Sequence, residues 1–182
     1  MKNKSERIIG LFYNYPAKQW HFNDIIKESK VTRSKVDKWL KYYVKHNFIK
    51  RIKERNRMPY YISNYECINY QIKKKQFAQN KLLESGLLDH LNSLKDIKCI
   101  ILFGSFSRWD WTKNSDVDLF IYGNVDDLRL FEYELKLHKE IQLFVCNTKK
   151  DLNKYDPGLL RNIIEGDLIK GDIGFLEVNA SA

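Results

Sequence analysis

The chain has 182 residues, 43% of them hydrophobic, and carries 32 Lys and Arg against 23 Asp and Glu for a formal net charge of +9. That length holds one medium domain or two small ones, no apolar run approaches the roughly 18 residues of a membrane-spanning helix, and the first residues lack the apolar core of a signal peptide. Three widely spaced cysteines (Cys67, Cys99, Cys146) and four scattered histidines (His21, His46, His90, His138) form neither a disulfide frame nor a zinc ligand pattern, so reduced thiols and a cytoplasmic setting are expected.

In chain order, Ser5 to Asn14 reads as a short helix with Ile8, Ile9, Leu11 and Phe12 apolar, ended by Pro16. Phe22 to Ser29 reads as a second helix with Asn23 or Asp24 as N-cap. Thr32 opens a third, running to about Asn47, with Val36, Leu40 and Tyr43 or Val44 on its apolar face. Phe48–Ile52 and Tyr60–Ser63 are β-branched and aromatic, so they read as strands joined by the basic turn Lys53 to Pro59. Asn64–Ser85 is helical in pattern, and Gly86 separates it from a helix over Leu87–Leu94.

The charge is uneven: residues 1–80 hold 19 basic against 6 acidic side chains (+13), and the remainder 13 against 17 (−4). A basic front half calls for a polyanionic partner. Three helices followed by a basic hairpin resemble a winged helix-turn-helix, in which the third helix enters the major groove and the wing lies along the backbone. The resemblance implies nucleic-acid contacts by Arg33, Ser34, Lys35 and Lys38 on the third helix and by Arg55 and Arg57 on the wing. A basic packing or dimerisation module is the alternative. The expected division is a winged helix-turn-helix domain over residues 1–64, a helical linker over 65–95 with Lys73 to Lys75 as a solvated face, and a second domain over 96–182.

That second domain alternates. Ile97–Phe103 reads as a strand, Gly104–Arg108 as a helical turn, Val117–Tyr122 as a strand, Asp126–Lys139 as a helix and Glu140–Cys146 as a strand. Helical segments follow near Lys149–Lys154 and Pro157–Glu165. The class is α/β, with a three-stranded core.

The most informative stretch lies at its centre: an apolar strand, Gly104-Ser105, ten residues, then Asp116-Val117-Asp118 at the head of a second strand. Glycine permits a sharp turn that presents backbone N–H groups and a hydroxyl to phosphate oxygens. Positions i and i+2 of a strand share a face, so the two carboxylates stand about 7 Å apart, a spacing suited to magnesium and nucleotidyl transfer.

This pattern resembles the DNA polymerase β-like nucleotidyltransferase superfamily, in particular its minimal branch, whose signature is Gly-Ser, ten residues, Asp-x-Asp. The similarity covers residues of roughly 80–170. It implies an α/β (α+β) core with a mixed sheet, Asp116 and Asp118 as ligands of Mg2+ or Mn2+, and ATP or another NTP as substrate. It further implies nucleotide binding by Gly104, Ser105, Arg108 and Ser115.

The sequence departs from that family twice. A third carboxylate is expected from the next strand, where Gln142 stands. Glutamine is a weaker magnesium ligand and no base, and Glu140, two residues earlier, is the candidate to substitute in catalysis. Trp109 follows Arg108 where glycine is usual; with Trp111 it is placed either to stack on a base or to pack against the domain below.

Two readings stay open. One is an enzyme moving an NMP, most simply AMP, to a hydroxyl of a protein, RNA or small molecule, as members of the branch do in toxin–antitoxin pairs; an RNA-tailing enzyme is a weaker version. The other is a DNA-binding regulator whose nucleotidyltransferase-like domain senses nucleotide. Nucleotide, DNA through the winged helix, and a protein acceptor or toxin are the implied partners. No membrane association is expected, and a homodimer would fit a winged helix reading two half-sites.

Overall fold

A computed structural model describes residues 4–174. The first three residues of the expected front domain and residues 175–182 of the expected second domain lie outside it. The chain divides into two compact units, one comprising Met1–Lys74 with Trp111–Lys113, the other Lys75–Asp110 with Asn114–Ala182.

The first unit runs α1 (Lys4–Asn14), β1 (Trp20–His21), α2 (Phe22–Ser29), α3 (Arg33–Lys45), β2 (Ile49–Ile52) and β3 (Tyr60–Ser63), then enters α4 (Ile68–Ser85). Its antiparallel sheet has the order β1-β3-β2. The two-residue β1, too short to carry a strand signal, adds Trp20 and His21 to the hairpin opposite Tyr61 and Tyr60. Ile8, Phe12, Trp20, Ile25, Val36, Leu40 and Ile49 are at most 1% exposed and form the core. Of the two apolar candidates at the end of α3, Tyr43 is the buried one, and its hydroxyl donates to the Ser5 carbonyl at 2.8 Å. The N-cap of α2 is His21 and not Asn23 or Asp24, because pairing in β1 holds His21 extended. Lys30 ends α2 in the left-handed region at φ 52°, leaving only Val31 and Thr32 before α3.

The second unit holds the rest of α4, α5 (Leu87–Ser93), β4 (Ile97–Phe103), α6 (Gly104–Ser107), β5 (Val117–Gly123), α7 (Phe131–Leu137), β6 (Ile141–Cys146), the 3₁₀ helix Lys149–Lys154, α8 (Pro157–Ile164) and β7 (Asp167–Gly171). The sheet is four-stranded, order β6-β5-β4-β7, not three-stranded. β5 and β6 are parallel and the other pairs antiparallel. The missed strand, Asp-Leu-Ile-Lys-Gly, has no periodicity to announce it; only its pairing along the free edge of β4 makes it extended. The helix expected over Asp126–Lys139 is confined to Phe131–Leu137. Asn124 Oδ1 accepts from the Asp126 backbone N–H, and this local turn competes with helix initiation.

Alternation sorts the sheet into two faces. One carries Cys99, Ile101, Phe103, Phe120, Tyr122 and Cys146, packed against Leu152, Tyr155, Leu159, Leu160 and Ile163 from the 3₁₀ helix, its flank and α8. Asp118 lies on this same face, two residues before Phe120, at the end where the apolar cover stops.

Candidate active site

β4 delivers the chain to Gly104, which takes φ +72° and starts α6. That angle alone favours glycine, and the space requires it: a Cβ at this position would stand 2.1 Å from Asp118 Oδ2 and 3.0 Å from Asp118 Cγ. The carboxylate of the second aspartate therefore rests on the bare α-carbon of the turn. The antiparallel register sets this up, since Asp118 is the Cα partner of Phe103, the residue before Gly104. Ser105 occupies the first turn of α6, half-buried, and Ser107 stiffens it by donating to the Gly104 carbonyl at 3.0 Å.

Asp116 is exposed just ahead of β5, and Asp118 is half-buried within it. Burial pushes the Asp118 carboxyl above the usual carboxylate range, the negative charge of Asp116 pushes the same way, and the Arg108 guanidinium opposes them. Two oxygen ligands of this kind suit Mg2+ or Mn2+, and a cation held between them would relieve both penalties; the donors fit the ion. Among the described residues no group of three or more His, Cys, Asp or Glu side chains is arranged to hold a metal. An ion bound by Asp116 and Asp118 would need further oxygens, as from phosphate or water. Arg108 is exposed and pairs with Asp110, Nε to Oδ1 at 3.3 Å and Nη2 to Oδ2 at 3.2 Å, so a phosphate would have to draw it from an existing ion pair.

On the neighbouring parallel strand, Gln142 is the Cα partner of Asp118, and it is exposed. Parallel neighbours share a face about 4.8 Å apart, so the neutral amide stands beside the half-buried carboxylate. Glu140 is exposed at the head of β6, where its backbone carbonyl accepts from Val117 N at 2.9 Å. That bond joins the two strands directly at Asp116.

One residue of this region went unnoticed in the sequence. Lys139 is half-buried, and its Nζ donates to the Ser115 carbonyl at 2.8 Å and lies 5.2 Å from the Phe106 ring centroid. Burial pushes its pKa down to about 8, against the pull of Asp116. Nothing in a lysine closing a helical pattern signals this; the fold carries it there. Ser115 thus offers the cluster its main-chain carbonyl. Trp111 is 2% exposed and packs edge-on to Tyr13 at 6.4 Å, which removes it from base stacking, while Trp109 stays half-buried.

In the first unit, Arg33, Ser34, Lys35, Lys38, Arg55 and Arg57 are all exposed. The Arg33 guanidinium lies 4.9 Å over the Phe22 ring. Arg57 pairs with Glu54 at 2.8 Å. A hydrogen bond with Lys35 and its like charge lower the pKa of Lys4, a sign of crowded positive charge between α1 and α3. An open cleft of about 590 Å³ runs between Phe22, Arg33, Asp37, Arg51, Met58 and Tyr61. Arg51, exposed on β2, was missing from the sequence-level set; it shares a strand face with the buried Ile49, so alternation alone gives no sign of its exposure.

Comparison with known proteins bears on the second unit. Residues 86–172 match the family described as Polymerase beta, Nucleotidyltransferase. Over 65 residues, 33% of this chain, the sequence is 40% identical to a protein of Methanocaldococcus jannaschii named as a protein adenylyltransferase; the match spans 61% of that relative's length. A solved structure described as a toxin-antitoxin with AMP-PNP aligns at 20% identity over 51% of this chain and 73% of its own, with a TM-score of 0.34, too low to bear on function. The family match and the adenylyltransferase relative agree in class, both pointing to transfer of a nucleotide group. No helix among the described residues is long and apolar enough to cross a membrane.

Proposed function

We propose that the protein transfers AMP from ATP to a hydroxyl of a macromolecular acceptor, using the site at Gly104, Ser105, Asp116 and Asp118. The observation that carries this reading is the seat of the Asp118 carboxylate on Gly104, which brings a metal-binding carboxylate against the turn meant for phosphate. The matched nucleotidyltransferase domain supports the reaction class, and the relative named as a protein adenylyltransferase supports AMP and a protein acceptor.

The chemistry divides among this chain's own groups. Asp116 and Asp118 would hold a divalent cation, which when bound would screen the triphosphate and polarise its α-phosphorus. Gly104 and Ser105 hold the β- and γ-phosphates, with Ser115 on the nucleotide side. Arg108, exchanging Asp110 for phosphate, neutralises the leaving pyrophosphate. The acceptor oxygen attacks the α-phosphorus, the bond to the β-bridging oxygen breaks with its electron pair, and the hydroxyl proton passes to Glu140 or water.

The first unit supplies a nucleic-acid or acceptor dock. The element order α1-β1-α2-α3-β2-β3, with the sheet order β1-β3-β2, supports a winged helix-turn-helix over residues 1–64, with α3 as the groove-facing helix. The exposed Arg33, Ser34, Lys35, Lys38, Arg55 and Arg57 are its contacts. A toxin partner and a homodimer rest on the sequence resemblance.

One observation favours a second reading, a regulator that senses nucleotide without efficient transfer: the neutral Gln142 in register with Asp118. Transfer from α-labelled ATP with Mg2+ or Mn2+, offered to purified protein and to cell extract, separates the two. Label on a macromolecule that vanishes in Asp116→Asn/Asp118→Asn supports the enzyme. Metal-dependent ATP binding without transfer supports the sensor.

A further inference from the structure

Lys139 is held at the candidate site from both sides. His138 ends α7 in the left-handed region at φ 54°, and the Lys139 backbone N–H donates back to the Glu134 carbonyl at 3.2 Å. Glu140, the next residue, ties the head of β6 to Val117. The side chain emerging between these anchors carries its ammonium to the Ser115 carbonyl, one residue before Asp116, and over the ring of Phe106, two residues after Gly104. A half-buried positive charge therefore stands among the three segments that carry Gly104, Asp116 and Gln142.

We propose that Lys139 is a fixed cation of this site, one that limits the Asp116 and Asp118 pair to a single divalent ion. The proposal rests on the nucleotidyltransferase reading and deepens it. Two carboxylates and one ammonium leave a single net negative charge within the cluster, which one divalent ion already reverses. A second ion would meet an ammonium anchored on the residue before Asp116, in a partly desolvated setting where like charges repel strongly. It would also meet an amide at Gln142, a weaker ligand than a carboxylate. Glu140 adds a negative charge, but it is exposed at the strand head and screened by water. Lysine suits the task because its charge is compact and its long stem lies along apolar surface, here the ring of Phe106.

The test is a count of Mn2+ bound to the full chain, without nucleotide, by electron paramagnetic resonance titration. One Mn2+ per wild-type chain is expected, as is one in Lys139→Arg, which keeps the charge. In Lys139→Met binding should tighten by about tenfold or rise to two ions, because a repulsive charge is gone. Two ions in the wild type overturn the proposal, and this count needs no variant to fold. Unchanged or weaker binding in Lys139→Met overturns it too, marking the lysine as a structural tie. The Asp116→Asn/Asp118→Asn control separates the two levels: binding it shares with the wild type removes the metal site itself and the nucleotidyltransferase reading with it, whereas two ions lost only in that control remove the role of Lys139 alone.

Discussion

Asp118 rests its carboxylate on Gly104 so closely that a Cβ there would stand 2.1 Å from Oδ2. The glycine of the turn and the second aspartate of Asp-x-Asp are thus one structural unit, although thirteen residues separate them in the chain. Gly104→Ala should fail twice over. The left-handed φ of +72° costs a non-glycine residue about 1–2 kcal/mol, and the new methyl group must evict the carboxylate. Denaturant unfolding should show a loss of about 1–3 kcal/mol, and transfer from labelled ATP should fall by about 100-fold or more, as when a preorganised charge-stabilising group is lost. A folded, fully active Gly104→Ala protein would show that Asp118 works from elsewhere.

Holding Asp118 half-buried beside Asp116 sets a cost against folding. Its folded pKa is raised, so the native state binds the proton more tightly than the unfolded chain, and stability falls as pH climbs from the unfolded carboxylate value through the raised one. Asp118→Asn should therefore melt at a higher temperature than wild type at pH 7 in the presence of a chelator. The gain should disappear near pH 3, where the Asp118 carboxyl is protonated in the folded and the unfolded chain alike. Excess Mn2+ should stabilise the wild type and leave the variant unmoved. A variant less stable than wild type at neutral pH would remove the argument.

Asp151 works the other way. A bond from Lys154 and further bonds from the Thr148 and Asn147 backbone N–H groups and the Thr148 hydroxyl hold its carboxyl well below the usual range. A depressed pKa contributes stability above the unfolded value of about 4 and loses it as pH falls below that. Asp151→Asn should lower the melting temperature at pH 7 by a few degrees. The gap between the two proteins should narrow as pH falls below about 4 and close only past the depressed folded value, a convergence that differential scanning calorimetry can follow.

The first unit should bind duplex DNA with a steep salt dependence. Each phosphate contact removed should flatten the slope of log K against log salt by about 0.9. Fluorescence anisotropy on Arg33→Ala and Lys35→Ala should show such a decrease, while Asp116→Asn should leave binding unchanged. Wild-type binding insensitive to salt would point to the first unit as a protein dock.

Gln142→Asp places a carboxylate in register with Asp118. If transfer is limited by the missing acid, the substitution should tighten Mn2+ by about tenfold or more and raise the rate of AMP transfer. Tighter metal with no gain in transfer would favour the sensing role.

Much of this was legible in the chain itself. Ile97–Phe103 reads as a strand because seven residues there are almost wholly apolar, and it is one over that span. Gly104-Ser105 and Asp116-x-Asp118 name a turn and a strand head, because glycine's freedom and the two-residue repeat of a strand are local properties. The two-unit organisation shows in the charge, +13 before residue 80 and −4 after it. Contacts between residues distant in sequence were out of reach. β7 is extended only because β4 offers it an edge, α7 is short because Asn124 turns the chain first, and Trp111 is buried by Tyr13, nearly a hundred residues earlier. The sequence by itself determined which groups could do chemistry, since side-chain type and strand spacing are written residue by residue. The tertiary structure alone decided that Asp118 lies on Gly104, that Gln142 stands level with it and that Lys139 reaches Ser115, because register and loop path are settled by packing across the sheet.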